Sequence, residues 1–98
     1  MTPGGRFEQR GEMFHYLDQL YEVQGQFKIA KIEDIIRYST ERYFDTITQR
    51  VIVVERHDDR LVLIPYEEKG NEVTPITIHT TTRQQINFRL KAGRFRHG

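Results

Sequence analysis

Cysteine and tryptophan are absent from this 98-residue chain, and only three prolines occur. Without cysteine there is no disulfide framework and no thiolate metal site, and the composition suits a reducing compartment. No long apolar run is present either, so neither a secretory leader nor a membrane anchor is expected, and a cytoplasmic protein is the simplest reading. The four histidines do not recur at metal-ligand spacing and there is no acidic calcium loop, so no metal and no cofactor are expected. A glycine-rich phosphate loop, a nucleophile elbow and an internal repeat are missing too.

Acidic residues are missing from one region only. Residues 1–80 carry ten Lys/Arg and fourteen Asp/Glu, a net charge of −4, whereas 81–98 carry Arg83, Arg89, Lys91, Arg94 and Arg96 with no acid at all. A basic segment on an acidic body is a candidate polyanion-binding surface, or else it neutralises that body or an acidic partner. What remains is ordinary for one small domain: hydrophobic residues make up 37% and charged residues 30%. Six Phe and five Tyr supply much of the buriable area. A core of this size gives thin stability, so a dimer or a tight partner is expected.

Periodicity divides the chain. Residues 1–5 read as a loose Pro/Gly tail. Apolar residues at helical spacing (Phe7, Phe14, Leu17, Leu20, Tyr21) predict a helix within 6–24, firmest after Gly11, with His15 packed on it and Gly25 ending it. A second helix is predicted over 31–39, with Ile32, Ile35 and Ile36 on one face. The period then shortens to that of strands: 42–45, 50–56, 61–67 and 72–80, joined by short polar turns that argue for an antiparallel meander. Strands 50–56 and 61–67 are apolar on both faces, which leaves one face for a partner. Pro65 and Pro75 lie symmetrically about Gly70, so a bulge or a widened spacing is expected between their strands. Thr82-Arg83-Gln84-Gln85 matches a capping box and starts a basic helix with Ile86 and Leu90 as its buried stripe, Gly93 as its C-cap and a basic tail over 94–98. The expected fold is therefore α+β: two N-terminal helices, a four-stranded antiparallel meander sheet and a C-terminal basic helix.

The junction at 79–83 concentrates the chemistry. A helix N-terminus offers free N–H groups to a phosphate, Thr81 and Thr82 add hydroxyls, and Arg83 adds a two-pronged donor. His79 stands beside them as a candidate proton shuttle, with Glu67 as a candidate acid/base partner. Arg50, Arg56 and Arg60 lie in or beside the central hairpin, where they would clamp phosphates or pair with Glu55, Asp58 and Asp59. Arg89, Lys91 and Arg94 extend the basic surface along the final helix.

A tyrosine followed by Glu67 or Glu68, the Gly70 turn, the alternating strand from Val73 to Ile78 and the Thr82-Arg83 helix start follow one another in a distinctive order. With Glu41-Arg42-Tyr43-Phe44-Asp45 after the preceding helix, this order resembles BrnT-like toxins and related small RelE/ParE-superfamily domains over residues 30–95. The resemblance implies a metal-independent bacterial ribonuclease toxin neutralised by a small antitoxin. Basic strand and helix residues would bind RNA and position its 2′-OH for attack on the adjacent phosphate. By position, Arg83 matches best, followed by Arg50, Arg56 and Arg60. The chain departs from the pattern in its acidic body and its sparser strand cations, so an inactive relative is also in view. Two further readings stand beside it: a non-enzymatic interaction or oligomerisation module using the exposed apolar sheet face, and an RNA binder without catalysis.

Overall fold

The computed structural model describes residues 13–17, 20 and 27–97. Strands β2 (Glu41–Asp45), β3 (Arg50–His57) and β4 (Arg60–Lys69) form its centre, each antiparallel to the next. β4 is the longest, and two short strands share its other side: β5 (Glu72–Pro75) pairs with one end and β6 (His79–Thr81) with the other. Outside β5 lies β1 (Met13–Phe14), which runs parallel to it, and outside β2 lies the antiparallel β7 (Phe95–His97). The result is a mixed seven-stranded sheet in the order β1-β5-β4-β3-β2-β7, with β6 on β4. The described helices are α1 (Ile29–Tyr38) and α2 (Arg83–Lys91), and neither is long and apolar enough to cross a membrane.

This overturns the expected two N-terminal helices and four-stranded meander. Met13 and Phe14, expected in the first helix, are in strand β1, where Met13 N–H donates to Asn71 O (2.8 Å) and, just beyond it, His15 N–H to Val73 O (2.9 Å). The rest of that helix, apart from residues 15–17 and Leu20, lies outside the described residues, as do the 1–5 tail and Gly25. His15 is exposed. At the other end, Phe95–His97 is not a tail but a strand on the edge of β2.

The strand expected over 72–80 is broken in two, with a one-residue shift of register on β4 between the halves. Lys69 pairs with Glu72, so the turn is Gly70-Asn71, with Gly70 at φ 61, a conformation open to glycine at little cost. The centre of symmetry therefore falls between Gly70 and Asn71, not on Gly70, and Pro75 faces Tyr66 instead of Pro65. The regular ladder stops there. Ile76 N–H makes one more bond to Pro65 O (2.9 Å), and the chain then leaves the sheet until His79 rejoins it opposite Leu63.

Both faces of the sheet are covered by this chain. On one, Ile32, Ile35 and Ile36 recur at i, i+3 and i+4 on α1 and bury against Val53, Val62, Ile64 and Tyr66. Ser39 ends that helix and donates through Oγ to Val54 O (2.6 Å), tying it to β3. On the other face, Ile86 of α2 buries completely among Tyr43, Ile52, Val54, Leu61, Leu63 and Phe95, with Leu90 beside it. The doubly apolar strands are thus explained by a helix on each side.

Candidate functional site

The face under α2 is built from alternate strand residues. One cross-strand row runs Glu41, Val54, Leu63, His79, and the next contains Tyr43, Ile52 and Pro65. Helix α2 starts as its sequence predicts: Thr82 has an extended backbone, and its Oγ1 accepts from Gln85 N–H (3.1 Å). The reciprocal half of the capping box is replaced, because Thr81 Oγ1 donates to Gln85 Oε1 (2.9 Å).

From this N-terminus Arg83 reaches Glu41, making both bonds of a fork: Nη1 to Oε2 at 2.5 Å and Nη2 to Oε1 at 3.0 Å. Tyr43 Oη donates to the same Glu41 Oε2 (2.6 Å). The Arg83 bond, with help from Tyr43, holds the Glu41 carboxyl below its ordinary value against the opposing effect of burial. Burial and the adjacent carboxylate push the Tyr43 phenol up.

His79 stands at the opposite end of the Glu41 row, three strands away. Partial burial and then the positive charge of Arg89 pull its pKa below the usual histidine value, so its ring is neutral near pH 7. The cation brought to His79 is therefore Arg89, while Arg83 is held on β2. Glu67 is not brought to His79 either. It lies four residues along β4 from Leu63, His79's partner, about 13 Å at the rise of an extended strand. Its carboxylate accepts from Arg50 Nε (2.9 Å).

A third pair closes the sheet edge. Asp45 is buried, at 3% exposure, and meets Arg94 through Nε (3.3 Å to each oxygen) and Nη2 (3.2 Å). Its Oδ1 also accepts from Ile47 and Thr48 N–H (2.9 and 3.2 Å), which folds the β2–β3 turn. Burial pushes this carboxyl up, but Arg94 and the two amides outweigh it and the net shift is downward. Of the remaining expected phosphate-binding residues, Arg56, Arg60 and Lys91 are exposed and make no ion pair among the described residues, while the Arg89 guanidinium sits 5.5 Å from the centre of the Phe95 ring. Among the described residues no group of His, Asp and Glu could hold a metal ion.

A concavity lies beside these pairs. Thr46 and Ile47 of the β2–β3 turn form one wall, Gln85, Phe88 and Arg89 of α2 the other, and Ala92 and Gly93 the floor of a mainly apolar groove of ≈ 900 Å³. Ile47 is 69% and Phe88 71% exposed. Gly93, at φ 80, ends α2 and turns the chain so that Arg94 N–H bonds back to Arg89 O (2.9 Å). Thr46 then fastens the turn to this corner, donating N–H to Arg94 O (2.8 Å).

Sequence reasoning singled out neither Ile47 nor Phe88. A signal existed for both: Ile47 is the apolar residue of an otherwise polar turn, and Phe88, two residues from Ile86, falls on the opposite side of the helix from the buried stripe. Compared with protein-family models, with curated proteins and with solved structures, the chain matches none.

Proposed function

We propose that this chain is a non-enzymatic interaction module, set in the cytoplasm, that presents the C-terminal half of α2 and the β2–β3 turn to a polypeptide partner. The observation that carries the reading is the joint exposure of Ile47 and Phe88 along one apolar groove. Large side chains that line a common concavity and remain in water are the usual mark of a surface that is covered in use. The groove is also held in place. Asp45 and Arg94 fix one wall to the sheet, and Ile86 anchors the other.

The polar groups support binding over catalysis. Arg83 and Glu67, which a ribonuclease would need for phosphate and proton transfer, are each engaged by an opposite charge within the fold. Both pairs are partly exposed and weak, but a phosphate would have to displace a carboxylate from the Arg83 fork. The ribonuclease reading implied by the likeness to RelE/ParE-superfamily domains retains one observation in its favour. A neutral His79 is able to accept a proton near pH 7.

Incubation of the purified full chain with RNA in EDTA separates the two. The interaction reading expects intact RNA. Cleavage that disappears in both R83A and H79A overturns it and restores the ribonuclease assignment.

A further inference from the structure

The interaction surface has a shape and a charge that together specify its occupant. Phe88 is not simply one wall of the groove. It is a ridge between two concavities: that of ≈ 900 Å³ on the Ile47 side, and a second of ≈ 640 Å³ lined by Asn87, Leu90 and Lys91. Gln84, Phe88 and Lys91, at i, i+4 and i+7, run along the exposed side of α2 and form the kind of ridge that seats between the side-chain rows of another helix.

The charge around the ridge has one sign. No Asp or Glu lines either concavity. Arg94 is already matched by Asp45, and Arg89 rests over the Phe95 ring with no carboxylate on it, so the cations there without an acidic partner among the described residues are Arg89 and Lys91, on either side of Phe88. Two other occupants fit less well. A second copy docked about a two-fold axis through Phe88 would bring Arg89 and Lys91 against their own duplicates, a like-charge contact that specific interfaces avoid. An RNA strand would meet Ile47, Ala92 and Gly93, which give a base no aromatic surface beyond Phe88, and only those two cations without a carboxylate partner for its phosphates.

We infer that the occupant is an acidic amphipathic helix of a second polypeptide, lying across Phe88 with an apolar side chain in each flanking concavity and carboxylates facing Arg89 and Lys91. This rests on the interaction reading above and narrows it to one ligand chemistry.

The test is a displayed library of helix-forming peptides with randomised surface positions. It is selected on the full wild-type chain and counter-selected on F88D, with F88S as a second variant, both checked for native stability. Expected are Phe88-dependent peptides that carry apolar residues at i and i+3 or i+4 and a net negative charge. Their affinity should fall about tenfold in the double variant R89Q/K91Q, as two rim charge contacts are worth. Phe88-dependent peptides that are neutral or basic, or whose binding ignores R89Q/K91Q, overturn the inference and leave an interaction surface standing. No Phe88-dependent peptide at all overturns it as well, and the RNA assay then decides separately whether the chain is an enzyme. A concentration-dependent dimer abolished by F88D, or Phe88-dependent binding of a single-stranded oligonucleotide, also overturns it by naming another occupant.

Discussion

Arg83 at the start of α2 and Glu41 at the start of β2 meet through both nitrogens of the guanidinium and both oxygens of the carboxylate, at 2.5 and 3.0 Å. The contact joins residues far apart in sequence and ties the last helix to the sheet. The Arg83 side chain is 51% exposed, so solvent screens the pair, and E41Q is expected to cost about 1 kcal/mol or less at neutral pH. The sign of its pH dependence follows from the depressed carboxyl. With a folded pKa below the unfolded one, the stabilisation is complete above about pH 4.5 and is lost as pH falls through the folded value. Urea midpoints of wild type and E41Q, measured from neutral to acid pH, should converge at the acid end.

Asp45 gives the larger effect of the same sign, because its carboxylate is buried and serves Arg94 and two turn amides at once. Removing it in D45A leaves those donors without their acceptor and costs about 2–3 kcal/mol, tempered by the partial exposure of Arg94. The folded pKa is again depressed, so this contribution too is present above about pH 4 and disappears on acidification below it. Chemical denaturation at pH 7 measures the cost. D45A should also raise amide exchange in residues 46–49 and in β7 before the rest of the sheet.

Local signals are legible in the chain, and non-local ones are not. The isoleucine stripe of α1, the Val-rich β3 and the Thr82 cap depend on neighbours within a few residues, and each lies where its pattern places it; Gly93 lies one residue past the C-cap, which is Ala92. β1 and β7 escaped because two and three residues are too few to show a period, and only pairing with β5 and β2 makes them strands. The split of β5 from β6 carries a one-residue shift of register on β4, from Tyr66 opposite Pro75 to Leu63 opposite His79, which only the pairing reveals. The ion pairs around the candidate site are invisible in the sequence for a related reason. Charge asymmetry in the C-terminal segment was visible, but its arginines reach back to Glu41 and Asp45, more than forty positions earlier, and sequence spacing carries no trace of those partners.

His79 reports on the charge of α2. Its pKa is lowered first by partial burial and then by Arg89, so R89Q removes the second cause and leaves the first. The expected result is an upward move of the His79 titration midpoint, toward the ordinary histidine value without reaching it. R83Q should leave it in place, since Arg83 is engaged at Glu41. Imidazole NMR titrations of the wild type and the two variants measure this. An equal shift in R83Q would mean that both arginines act on the ring.

Ile86 and Phe88 sit two residues apart on α2 with opposite environments, 0% and 71% exposed. I86A empties a position beneath the helix that touches both β3 and β4 side chains, and cores of this kind lose about 3 kcal/mol for such a truncation. F88S removes a larger side chain yet takes nothing from the core, so the midpoint of unfolding should move by no more than about 0.5 kcal/mol. The same variant should reduce binding of an apolar fluorescent dye to the native protein, because Phe88 and Ile47 form the exposed apolar groove. If F88S destabilised the fold as much as I86A, Phe88 would be part of the packing that holds α2 down. It could not then be a surface kept open for a partner.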